Sequence, residues 1–249
     1  MSMQQTVAAE GATDKNTKTH RRAIGRKLAV VAGLCYLVTH VTSVGALILY
    51  TPMLNSVNYI TGSGPDKDVL VGGFLELFLA FGVIGTAVAL FPVVRRKSEA
   101  GAIGYVGLRT LEAGIIAIGV VSLLAVVTLR QSLVGATGMD TASLVTIGEA
   151  LVAFHNWTFL IGPSFTSGLN TVVIAYVLYQ SRLVPRFIPV LGLIGGTLVF
   201  ASATAVLFGF VGQYSTWPAI IALPEFAWEL SLAIYLIARG FRSSALAPQ

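Results

Sequence analysis

Six long apolar runs divide the chain, at about residues 28–50, 69–94, 102–127, 148–179, 187–211 and 218–238. Each is longer than 20 residues, enough at about 1.5 Å per residue for an α-helix to cross about 30 Å of hydrocarbon. A membrane barrel would instead show segments of about ten residues with alternating polarity. The pattern therefore predicts an all-α fold, a polytopic membrane helix bundle of six transmembrane helices over residues 28–242. Residues 1–27 are polar and lack an apolar period, which predicts a disordered basic tail. Residues 243–249 form a short second tail. The first run follows a polar lead too long for a cleavable signal peptide. Loops at 51–68 and 128–147 are the longest, and Gly62-Ser63-Gly64-Pro65 marks a turn in the first of them.

Composition agrees: 55% of residues are apolar and 11% are charged, against about 25% charged in soluble domains. The net charge of +5 invites a nucleic-acid reading, but its placement argues for membrane topology. With the N-terminus inside, 13 of the 16 Lys and Arg fall on the inner side, including the cluster Arg21, Arg22, Arg26 and Lys27. Lys67 and Arg130 fall outside, and Arg109 lies within the membrane. This asymmetry predicts that both termini are cytoplasmic, as an even number of spans requires. The single cysteine, Cys35, excludes an intrachain disulfide and a cysteine-built metal site.

Against this apolar background five ionisable residues stand inside the spans: Glu76, Arg109, Glu112, Glu225 and Glu229. Each charge at mid-bilayer costs roughly 2.5–3.5 kcal/mol even on the insertion scale. Such groups must be paired, protonated, hydrated in a cavity or bound to a cation. Arg109 and Glu112 are i,i+3 and share a face of span 3, where they can form an ion pair. Glu225 and Glu229 are i,i+4 on span 6, a like-charge pair expected to keep at least one carboxyl protonated. Counting residues puts Glu76, His155 and Glu225 about 11 Å below the outer edge, and His40, Glu112 and Glu229 near the midplane.

Span 4 adds His155-Asn156-Trp157, then Gly162-Pro163, then Asn170. Proline frees the carbonyl of Phe159, which predicts a kink. Trp157 reads as an interfacial anchor. Gly101, Gly104 and Gly107 on span 3, and Gly192 with Gly196 on span 5, read as close-packing positions. The candidates for ligand or ion binding are Glu76, Arg109, Glu112, His155, Asn156, Glu225, Glu229 and His40.

The sequence lacks a P-loop, a Gly-x-Ser-x-Gly elbow and a His-Glu-x-x-His pattern. His40 and His155 differ in counted depth, which argues against a bis-histidine haem. No catalytic residue, metal or cofactor is assigned. The expected partners are the lipid bilayer and an unidentified small molecule or ion, not nucleic acid; homo-oligomers stay open.

Three segments carry a resemblance: Leu-Arg-Thr-Leu-Glu-Ala-Gly-Ile-Ile-Ala-Ile-Gly-Val-Val-Ser-Leu-Leu-Ala (108–125), His-Asn-Trp-Thr-Phe-Leu-Ile-Gly-Pro (155–163) and Leu-Pro-Glu-Phe-Ala-Trp-Glu-Leu-Ser-Leu (223–232). The chain, from about 25 to 242, resembles the bacterial family called domain of unknown function 4386. The resemblance implies a bacterial inner-membrane setting and a common bundle, with no activity attached. Three function classes follow from the residues: small-molecule or ion binding with transport or sensing, an enzyme on a lipid-like substrate, or a structural or regulatory subunit. Binding is the preferred functional class; the surplus of acids over bases keeps a purely structural network, more economically built from neutral amides, from prevailing outright.

Overall fold

The computed structural model describes residues 3–62, 64–132 and 140–242, with side chains from residue 23 onward. The expected basic tail lies mostly outside those side chains, and the second tail, 243–249, lies outside the described residues. The elements are α1 (Met3–Leu54), α2 (Asp66–Val94), α3 (Glu99–Ser132), α4 (Thr141–Phe159), a π-helical segment (Leu160–Thr166), α5 (Ser167–Ser181), α6 (Phe187–Leu207) and α7 (Thr216–Ala238). No strand occurs among the described residues. Six helical stretches are long and apolar enough to cross a membrane; the first begins at Ala23, and the fourth runs unbroken from Thr141 to Ser181. The chain is thus a multi-pass membrane protein.

The helices outlast the apolar runs at several ends. The expected loop 128–147 narrows because α3 continues to Ser132 and α4 starts at Thr141. Asp140 caps α4 by accepting from the Ala142 amide at 3.1 Å, a polar start signal that an apolar count does not register. Span 5, expected to reach 211, ends at Leu207, where the chain turns through Gly209 at φ +74°.

Neighbouring helices close a ring. α1 packs on α2 and α7, α2 on α3, α3 on α4, the π segment and α5, α5 on α6, and α6 on α7. The outer surface carries exposed Val41, Ile48, Phe81, Val88 and Val121, as hydrocarbon contact demands. At the end bearing both termini the ring is filled by Tyr36, Tyr105, Leu178, Ile188, Trp228 and Leu236, all essentially inaccessible. Arg26 caps that end of α7, donating to the carbonyls of Leu236 at 2.9 Å and Ile237 at 2.6 Å. These are orphan acceptors at the negative pole of the helix dipole.

At the opposite end Arg130 secures the first loop. It donates to the carbonyls of Gly62 at 2.7 Å and Gly64 at 2.8 Å, pairs with Asp66 at 2.6 Å and lies over the Tyr59 ring. Burial, and then the Asp66 charge, push the Tyr59 hydroxyl up to about 12, so it stays a donor to Asp66.

Close approach of α5, α6 and α7 depends on glycines. A methyl at Gly192 would sit 2.6 Å from the Trp228 ring, and one at Gly196 would sit 2.8 Å from the Gly168 carbonyl. At Gly195 it would meet backbone, the Glu225 nitrogen at 2.5 Å and the Glu225 Cα at 2.6 Å. On span 3 the expectation holds in part. Gly101 lies against Val177, but Gly107 has nothing within 4 Å and makes no close helix contact. Gly195→Ala should therefore lower stability in detergent by about 1–3 kcal/mol, since backbone cannot step aside. Gly107→Ala should be neutral or slightly stabilising through helix propensity. Thermal unfolding of the two variants side by side checks both; equal effects would contradict the packing.

Candidate functional site

α3 brings Arg109 and Glu112 into the ring, with side chains only 3% and 5% exposed. Arg109 Nη1 meets Glu112 Oε2 at 3.2 Å, the expected intrahelical pair. Its Nη2 meets Glu229 Oε1 from α7 at 2.8 Å, and its Nε donates to the Tyr105 hydroxyl at 3.1 Å. The guanidinium also lies 5.5 Å from the ring centroids of both Tyr36 and Tyr105, within reach of the cation–π attraction. Tyr36 and Tyr105 share a hydroxyl bond of 2.7 Å, and Thr86 on α2 reaches Tyr105 at 3.3 Å. Glu112 Oε2 accepts from Asn170 on α5 at 2.6 Å. One cation thus draws α1, α2, α3, α5 and α7 into a single network.

The two carboxyls of span 6 part company. Glu229 faces Arg109, whereas Glu225 Oε1 accepts from Ser167 at 3.1 Å and Thr171 at 2.9 Å. No cation among the described residues pairs with Glu225, and its position follows from the Gly195 contact at its backbone. His40 Nδ1 lies 2.8 Å from the Tyr36 carbonyl, and its Nε2 lies 3.8 Å from Glu229 Oε2. The carbonyl can only accept, so Nδ1 carries the proton. Phe226 packs edge-on against the His40 ring at 4.6 Å.

Above this network opens a cavity of about 500 Å³. Arg109, Glu112 and Glu229 form its floor, with His40, Ser43, Ser167 and Glu225 on the walls. Val44, Leu79, Ile116, Phe159, Val206 and Phe226 supply its apolar surface, and Gln213, Tyr214 and Ser215 surround its mouth. Pro163 interrupts span 4 beside this space. The kink expected there is a π-helical segment in which Thr166 returns its hydroxyl to the Ile161 carbonyl at 2.7 Å, and Leu160, Pro163 and Ser164 line the cavity.

Not every candidate joins it. Glu76 on α2 accepts from Tyr50 at 3.1 Å, and Tyr50 packs edge-on against His155 at 5.6 Å. His155 Nδ1 contacts the Gly119 carbonyl at 3.3 Å. The counted depth grouped Glu225 with Glu76 and His155, but the contacts separate them, because depth says nothing about azimuth around the ring. Asn156 braces the mouth: its carbonyl accepts from Gln213 at 3.0 Å and its side chain from Tyr214 at 2.6 Å. Burial, and then the Glu76 charge, push the Tyr214 hydroxyl up to about 12, so it too stays a donor. No group of three His, Cys, Asp or Glu among the described residues is arranged to hold a metal ion.

Sequence reasoning passed over Tyr36, Tyr50, Tyr105, Ser167 and Thr171. Hydroxyls are common in membrane helices, and only a tertiary partner distinguishes these. Asn170 was visible as an intramembrane amide, but its carboxylate partner was not.

Residues 31–240 match the family described as Domain of unknown function (DUF4386), and the chain belongs to that family. No curated protein and no solved structure matches the chain.

Arg109→Gln leaves Glu112 and Glu229 uncompensated in a low-dielectric ring and should cost about 3–5 kcal/mol. Glu112→Gln should cost less, because Glu229 still answers the guanidinium. In thermal unfolding, Arg109→Gln/Glu112→Gln should be less damaging than the sum of the single changes. Additive effects would rule out the shared network.

Proposed function

We propose that this protein is a small-molecule or ion-binding protein of the bacterial inner membrane, with both termini cytoplasmic and its cavity open to the outside. One observation carries the reading: a cavity of about 500 Å³ whose charged floor is buried among six spans. Concave, mostly apolar space with a few convergent polar groups is the usual form of a ligand site. A purely structural role accounts for Arg109, Glu112 and Asn170 but leaves the cavity and Glu225 unexplained. The packed core at the terminal end separates the cavity from that side of the membrane, so the cavity is reached from the other. Orientation rests on the Lys and Arg asymmetry of the loops.

Single cysteines in a Cys35→Ser background test both parts of this reading. In intact cells an impermeant thiol reagent should label Lys67→Cys and Asp140→Cys, which report orientation. It should also label Ser43→Cys and Ser202→Cys within the cavity, but not Thr86→Cys below its floor. Labelling of the loop positions without the cavity positions would remove the open site. Loop labelling only in inside-out vesicles would reverse the orientation.

A further inference from the structure

Resting on that binding reading, we propose that the ligand is an organic ammonium ion with an apolar body, its N–H groups directed at Glu225 and Glu229. The charge of Arg109 is already answered inside the protein: its three nitrogens meet Tyr105, Glu112 and Glu229, two of them carboxylates. The cavity faces the acceptors that remain. Glu225 uses only Oε1 for Ser167 and Thr171, which leaves Oε2 without a donor among the described residues. His40 commits Nδ1 to the Tyr36 carbonyl and turns Nε2 toward Glu229 Oε2 across 3.8 Å. That separation is too long for a hydrogen bond and leaves Glu229 Oε2 open to a donor from the cavity. An ammonium group supplies up to three such donors, and its charge favours the ionised form of a carboxyl beside it.

The rest of the cavity fits an apolar body. Leu79, Ile116, Phe159, Val206 and Phe226 surround the space above the acceptors, and Phe226, already against the His40 ring, offers an aromatic face to a cation. An inorganic cation uses the oxygen ligands but leaves this apolar volume unfilled. A neutral lipid tail fills the volume but leaves the acceptors unmet.

The experiment uses the full chain in nanodiscs with three probes sharing one body: 2-phenylethylammonium, 2-phenylethanol and phenylacetate. Binding is read as a shift in thermal unfolding midpoint and as protection of Ser202→Cys from the thiol reagent. The ammonium probe should shift the midpoint and protect, while the alcohol and the carboxylate bind about tenfold to hundredfold more weakly. Glu225→Gln keeps an amide oxygen for Ser167 and Thr171, so it should fold and lose most of the ammonium preference. Glu229→Gln should do the same, and if it fails to fold, Glu225→Gln carries the test alone.

Equal or tighter binding of the alcohol or the carboxylate would overturn the ammonium assignment while leaving a binding site. An equal shift from sodium or potassium chloride alone would do so as well. Unchanged ammonium preference in Glu225→Gln overturns the assigned acceptors. Absence of any probe effect, with Ser202→Cys still labelled, overturns the ligand class; failure of Ser202→Cys to label overturns the underlying site.

Discussion

A buried guanidinium between two carboxylates is the interaction on which the centre of this bundle depends. In water such a triad contributes little, because solvent screens it and the side chains lose freedom on pairing. Inside the ring the unpaired alternatives are expensive, so the partners hold one another and the helices that carry them. Arg109 reaches Glu112 on its own helix and Glu229 on α7. Glu112 passes the link to Asn170 on α5, and the two tyrosines extend it to α1 and α2. A hydrophobic drive between helices is absent in lipid, and polar contacts of this kind supply part of what replaces it.

Close backbone packing supplies the rest, and it also sets the site. Gly195 lets the α6 backbone approach α7 at Pro224 and Glu225, so the carboxyl stands beside Ser167 and Thr171. Proline at 163 takes the opposite course and loosens the ladder of span 4. The resulting π segment leaves Leu160, Pro163 and Ser164 facing open volume. Tight packing between α6 and α7 and a loosened turn in span 4 therefore border the same cavity. Helix irregularity at membrane depth is tolerated where protein or a cavity, rather than lipid, receives the freed groups.

Much of this was legible in the residues alone, for identifiable reasons. The six spans follow from hydropathy, and the Arg109–Glu112 pair follows from i,i+3 spacing, both of which are local. The glycines of span 5 announced close contact, as Gly192 and Gly196 show, but Gly107 on span 3 has the same spacing signal and open space beside it. Spacing gives a residue its depth and its helix face; it does not say which neighbour that face meets. That missing azimuth is why counted depth alone places Glu225 with Glu76 and His155, and why it does not show that Asn156 meets Gln213 and Tyr214. The partners of Arg109 on α7 and of Glu112 on α5 lie 120 and 58 residues away, beyond any local rule.

The acids of the ring sort by what answers them. Glu112 is held by a cation and an amide, and nothing further is required of it. Glu229 is held by the same cation at one oxygen and turns the other toward His40 without reaching it. Glu225 is held by hydroxyls alone, with no cation among the described residues beside it. Compensation thus declines from Glu112 through Glu229 to Glu225. A network built only to hold helices gains nothing from that gradient, since Gln at residue 225 could also accept from both hydroxyls without the cost of a buried carboxylate. On the proposed reading the gradient has a use. Arg109 and its two carboxylates answer one another without a ligand, whereas Glu225 keeps an oxygen with no donor among the described residues, so occupancy of the site adds compensation without being required for the fold.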